Sequence, residues 1–94
     1  MRSHPLLAAR ILRTDLEITR FGMATGRALG SAVVRNRVRR RIREALRAIG
    51  ASVQPGWDVL LIARPALVGA DHETLVTTLR RQLARGGVLG GSNG

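Results

Sequence analysis

The sequence predicts an α+β fold, a two-layer α/β sandwich in which a small mixed sheet carries two helices. Three observations predict it. First, the stretch Gly30–Arg47 and the two residues after it repeat apolar residues at Val34, Val38, Ile42, Ala45, Leu46 and Ile49, the i, i+4, i+8 spacing of an amphipathic helix. Second, Trp57–Ala63 is almost continuously apolar, which suits a strand interior to a sheet. Third, Asp71 precedes a second helical pattern that would bury Leu75, Val76, Leu79 and Leu83. The resulting order is strand, strand, helix, strand, helix, with both helices on one face of the sheet or near its edge.

Taken from the start, Met1 to His4 is expected to be disordered. Pro5–Arg13 fits a strand or a short helix, and its length and the Thr14-Asp15 turn favour a strand. Glu17–Thr25 is expected to be its hairpin partner. In that segment Thr19, Phe21 and Met23 share one face, and Ile18, Arg20, Gly22 and Ala24 share the other. Gly26–Gly30 is a loop into the central helix. Ser31 is placed to cap that helix, because its hydroxyl can accept from a first-turn amide. Gly50 stands where it would end, with glycine free to enter the left-handed conformation.

At about 100° per residue the central helix divides into faces. Val34, Val38, Ile42, Ala45 and Ile49 form one stripe, with Leu46 at its margin. Asn36, Arg39, Arg40, Arg43 and Arg47 cluster opposite. Arg37 and Arg41 lie on one flank, where they either pair with Glu44 or face solvent. Arg35 falls nearer the apolar side but stands in the first turn, where a long side chain reaches around the helix end. Asn36 has two readings: a polar role on the arginine surface, or a hydrogen bond within its own helix. Pro55-Gly56 marks a turn, Arg64-Pro65 closes the third strand, and Arg80, Arg81 and Arg85 gather where cations suit the dipole of the last helix. The expected organisation is a single domain over residues 1–85, followed by a glycine-rich flexible tail over 86–94.

The chain has 94 residues and a formal net charge of +10, and every one of its 16 basic residues is arginine. Such a surface suits a polyanion, and the planar guanidinium favours phosphate through paired hydrogen bonds. Seven like charges within Arg35–Arg47 repel one another along an isolated helix, and a polyanion relieves that repulsion. With no cysteine, a disulfide framework and a cysteine-ligated zinc site are excluded. No run approaches the roughly 20 apolar residues of a membrane span, and no secretory signal is visible, so the expectation is a cytoplasmic protein with no membrane partner. Phe21 and Trp57 are the aromatic residues, and a core of Leu, Val, Ile and Ala implies modest stability.

Asp15, Glu17, Asp58, Asp71 and Glu73 are scattered; His4 and His72 have no partner in sequence; and no phosphate-binding G-x-x-x-x-G-K-[ST] loop exists. No catalytic residue is evident. If the chain takes part in catalysis, another component carries out the chemistry.

The run Gly30-Ser-Ala-Val-Val-Arg-Asn-Arg-Val-Arg-Arg-Arg-Ile-Arg-Glu44 closely resembles the signature of the bacterial ribonuclease P protein subunit. The matching positions are Arg35, Asn36 and Arg37, then Arg39 and Arg40, then Arg43. Arg20-Phe-Gly22 and Pro55-Gly-Trp-Asp-Val-Leu-Leu-Ile-Ala-Arg-Pro65 are also similar, and the resemblance runs from about Leu6 to Leu83. It implies a sandwich with a left-handed crossover through the basic helix. It also implies a function. The family protein binds the catalytic RNA of ribonuclease P, an endonuclease that removes the 5′ leader of precursor tRNA, while the RNA and its Mg²⁺ carry out the hydrolysis. On this resemblance Arg35, Asn36, Arg37, Arg39, Arg40, Arg43, Arg47 and Arg27 would bind RNA, and Phe21 and Arg20 would contact the leader. Mg²⁺ would be held mainly by the RNA and none by the protein alone. The partners would be that RNA and the leader, with no obligate protein partner.

The sequence departs from the family in three ways. The family's basic N-terminal helix is lacking before the first strand. The expectation is a start placed too far downstream or a truncated chain, with part of the sheet exposed and one wall of the leader cleft missing. Gly26-Arg27-Ala28 stands where the family often has Ser-Lys-Lys. Of the aromatics that line the family's cleft, Phe21 is the one nearby candidate. The competing readings are a non-enzymatic RNA-binding or ribosome-associated protein, a basic helix lying on anionic membrane, and a DNA-reading helix.

Overall fold

Trp57–Ala63 is the most continuously apolar stretch of the chain, and the sheet is assembled around it. The computed structural model describes residues 2–90. Its strands are β1 (Arg2–Ser3), β2 (Leu7–Arg13), β3 (Arg20–Ala24) and β4 (Trp57–Ala63), and its helices are α1 (Ala32–Ile49) and α2 (His72–Arg85). The strand order is β1-β2-β4-β3. β2 pairs antiparallel with β4 from Leu7↔Ala63 to Arg13↔Trp57, and β3 pairs parallel with β4 from Arg20↔Asp58 to Ala24↔Ile62. The sheet is therefore mixed, and α1 forms the crossover between the parallel strands β3 and β4.

This corrects the expected hairpin. β2 and β3 do not pair, because β4 lies between them and leaves them two strand spacings apart, about 10 Å. The intervening arch is strapped to the start of β4 instead. Thr14 donates its amide to the carbonyl of Gly56 at 2.8 Å, and the Gly56 amide donates to Ile18 at 3.2 Å. The Thr19 hydroxyl donates to the Gln54 carbonyl and accepts from the Trp57 amide. Gly56 sits at φ 92°, a backbone that an L side chain adopts only with strain.

The start of the chain also differs from expectation. Arg2 and Ser3 form a short edge strand against Ala9 and Ala8, and the Leu6 amide donates to Nδ1 of His4 across the turn. Met1 lies outside the described residues.

Both helices cover one face of the sheet, as the element order predicted. Leu7, Ala9, Val59, Leu61 and Ala63 meet Val38, Ile42, Ala45 and Ile49 of α1 and Leu75, Leu79 and Leu83 of α2, with Leu29, Leu67 and Val88 closing the ends. Phe21 and Met23 also turn inward, on the face expected for them. Leu12 and Leu60, on the opposite face, remain exposed at 65% and 37%.

Ser31 caps α1 as predicted, its Oγ accepting from the Val34 amide at 3.3 Å. Ser31→Ala is expected to destabilise the fold by about 1 kcal/mol, read as a lower urea midpoint with an unchanged m-value. Gly50 does terminate α1, but at φ −4° and not in the left-handed region. The chain tightens into a 3₁₀ turn over Gly50–Ser52, and the Gly50 amide is satisfied by Leu46 without a reversal of hand.

The expected tail boundary at residue 86 moves as well. Gly87, at φ 87°, reverses the chain; Val88 is fully buried; and Leu89 bridges to Val53. The Gln54 amide donates to Val88 and the Gly90 amide to Ser52, both at 2.7 Å. The folded unit thus extends through Gly90, and residues 91–94 lie outside the described part. Among the described residues no helix is long and apolar enough to cross a membrane.

Candidate nucleic-acid interface

Burying the Val38–Ile42–Ala45–Ile49 stripe turns the opposite side of α1 to solvent. Asn36, Arg37, Arg40, Arg43 and Arg47 are all exposed there, and Arg27 is exposed on the 3₁₀ turn Arg27–Leu29 that leads into the helix. Arg40, Arg43 and Arg47 follow the helical repeat along one ridge roughly 10 Å long, and a nucleic-acid strand presents about three phosphates over that length. Glu44 is exposed beside the ridge, and neither Arg37 nor Arg41 pairs with it.

The remaining arginines of the run are used differently. Arg35 is half-buried, with its Nε shielded from solvent and without a hydrogen-bond partner. Arg39 is half-buried and donates to Oδ1 of Asn36 at 3.2 Å. The hydrogen bond within its own helix is therefore present, and Asn36 remains exposed on the arginine surface. Arg41 turns away from the ridge and donates to the carbonyls of Leu67 at 3.1 Å, Val68 at 3.4 Å, and Ala70. Nothing in the periodicity of α1 pointed to these acceptors, because they lie on a turn 26 to 29 residues further along the chain.

On the far side of the sheet, the uncovered faces of β2, β4 and β3 form a concavity of about 720 Å³. Register sets its floor: Arg10, Leu60 and Gly22 form one row across the strands, and Leu12, Asp58 and Arg20 the next. Arg20 and Phe21 both line it, but in different ways. The Arg20 guanidinium makes a bidentate pair with Asp58, at 2.8 and 2.6 Å. Phe21 is half-buried and packs mainly against the core. Arg10, Leu12 and Leu60 were not singled out from the sequence. Their signal lies in the three-strand register, which is invisible until β4 is known to separate β2 from β3.

The hydrogen bonds from Arg20 hold the Asp58 carboxyl below its ordinary value, against a smaller opposing effect of desolvation. The folded pKa is therefore depressed. The stabilisation it implies is present above the unfolded value near 3.8 and is lost as pH falls through the folded value. Asp58→Asn is accordingly expected to flatten the acid limb of Tm against pH below about pH 4, with little change in slope at neutrality. An unchanged acid limb would show that the pair contributes nothing. Among the described residues no three His, Asp or Glu side chains come together in a way that could hold a metal ion.

A mixed sheet, a parallel β3–α1–β4 crossover and an arginine ridge facing solvent define the class: a basic α+β sandwich with a cationic helix face. The sequence model of the ribonuclease P family matches residues 2–86. The chain belongs to the ribonuclease P protein family. It is similar to the ribonuclease P protein component of Roseiflexus castenholzii, with 46% identity over 76 residues, covering 80% of this chain and 62% of that protein. The Herpetosiphon aurantiacus ribonuclease P protein component is 37% identical over 81 residues, covering 86% of this chain and 66% of its own length. This chain therefore spans a little under two thirds of the length of the curated relatives it matches. Among solved structures, the RNase P protein of Staphylococcus aureus superposes with a TM-score of 0.81 at 21% identity, covering 94% of this chain and 81% of that one. The RNase P protein of Thermotoga maritima gives 0.81 at 24% identity, covering 88% and 79%. At such identities these two likenesses establish the fold.

Proposed function

We propose that this chain acts as the RNA-binding protein subunit of ribonuclease P. In this reading it binds the catalytic RNA through the outward ridge of α1 and assists removal of the 5′ leader from precursor tRNA. The observation that carries the reading is the ridge itself: Arg40, Arg43 and Arg47, with Arg37 exposed on its flank, stand on a helix whose other side is fixed in the core. Guanidinium groups held on a rigid helix bridge phosphate oxygens in pairs and release counterions, so binding is tight and strongly salt-dependent. The RNA subunit supplies the Mg²⁺ and the hydrolytic chemistry. The protein lowers repulsion between the RNA and its substrate. The leader lies against the concave outer face of the sheet, where Arg10 and Arg20 flank the apolar Leu12 and Leu60.

The test is processing of a precursor tRNA by cognate ribonuclease P RNA at low Mg²⁺, with and without this chain. Stimulated 5′ maturation is the expected result. Tight, salt-sensitive binding to that RNA without stimulation would confine the role to RNA binding. Absence of both would favour a different RNA partner, such as ribosomal RNA.

A further inference from the structure

Arg41 sits in the middle of the basic run, yet its environment is unlike that of its neighbours. On a helical wheel it lies roughly 100–160° from the direction shared by Arg40, Arg47, Asn36 and Arg43. Its guanidinium is spread over three backbone carbonyls, Leu67, Val68 and Ala70. These belong to the 3₁₀ turn Pro65–Gly69 and the residue after it, which link β4 to α2. The Leu67 carbonyl also accepts from the Ala70 amide at 3.1 Å, so Arg41 adds a second donor to it and reaches the carbonyls of Val68 and Ala70 further along; acceptors left unpaired where water is partly excluded are costly. The Leu67 side chain is fully buried in the core, so the turn is anchored from inside by that side chain and from outside by Arg41. Asp71, which caps α2, follows directly. Hydrogen bonds from Thr74 hold its carboxyl below the ordinary range, and the nearby charge of Arg41 adds to this effect.

We infer that Arg41 is a positioning residue: it locks the 65–70 turn onto α1, fixes the rotation of the arginine ridge, and makes no contact with RNA. The part of this inference that concerns RNA rests on the proposed function; the bracing does not. A guanidinium suits the task because its planar fork spreads five donors over two edges and reaches acceptors spaced along the turn, whereas an ammonium concentrates its three donors on one atom and an amide has two.

The test is arginine modification by phenylglyoxal on the full chain, read by peptide mass spectrometry, with and without cognate ribonuclease P RNA. Arg41 is expected to react roughly tenfold more slowly than Arg40 in the free protein, with no further change when RNA is added. Arg40 and Arg43 are expected to react freely and to become protected by RNA. Reaction of Arg41 at the rate of Arg40 in the free chain would overturn the inference. Two variants provide an independent readout. Arg41→Gln should lower Tm by several degrees, Arg41→Lys should recover part of that loss, and both should keep the wild-type salt slope of RNA binding. A slope reduced by about 0.7–0.9, the share of one phosphate contact, with Tm unchanged, would place Arg41 in the interface and remove the brace. If the wild-type chain fails to bind the RNA, the proposed function fails. The modification rate in the free protein and the Tm series would still decide the bracing.

Discussion

Arg40→Gln combined with Arg43→Gln is expected to reduce the salt slope of binding to ribonuclease P RNA by about 1.4–1.8, because each phosphate contact releases a fraction of a counterion. At low salt the affinity should fall by one to two orders of magnitude, on the order of one for each pair of charge-assisted hydrogen bonds lost. Both residues are exposed and neither braces the fold, so Tm should stay within a degree or two. The matched control is Arg80→Gln with Arg81→Gln, which removes the same charge from the exposed side of α2. If net charge alone drives binding, the two double variants will weaken it equally. If the α1 ridge is the interface, the first will lose far more than the second. Measuring both slopes between 50 and 200 mM salt separates these outcomes.

Leu61→Ala is expected to have the largest effect on stability. Leu61 is fully buried at the centre of β4, between β2 and β3 and beneath both helices. Truncating a leucine at such a site costs about 2–5 kcal/mol. A domain of this size holds roughly 5–14 kcal/mol in total, so the variant should populate the unfolded state measurably at 37 °C. Leu12→Ala provides the contrast. That side chain is 65% exposed on the open face of the sheet, and its loss should change stability by less than about 0.5 kcal/mol. Urea titration of the two variants checks both values. A small effect at Leu61 would mean that the helices, and not β4, form the centre of the core.

The sequence carried the helices almost completely. The α1 stripe, the Ser31 cap, the Asp71 cap and the exposed side of the basic run all follow from a 3.6-residue period and from local capping chemistry, which act within a few positions. The strands were legible as strands, but their partners were not. Pairing is decided by which apolar strand gains most from having both edges hydrogen-bonded, and that competition takes place between segments more than forty residues apart. The same limit concealed Val88, whose burial depends on a turn at Gly87 docking onto Ser52–Gln54. Within the site, exposed arginines could be read from the wheel. The diversion of Arg41 and the compensation of Arg20 by Asp58 could not, because each depends on an acceptor brought in by the fold.

The central place of β4 bears on how the chain folds as it is made. β2 and β3 leave the ribosome first, yet β4, which joins them to each other, comes only after α1. Residues 14–56 separate the end of β2 from the start of β4, an interval of roughly several seconds at about 5–20 residues per second. During that interval the nascent chain displays an arginine-rich helix with its apolar stripe uncovered and strands with open edges. Apart from the local β1–β2 pairing, the sheet closes in one late, long-range event, which favours slower folding than a wholly hairpin-based topology of the same size.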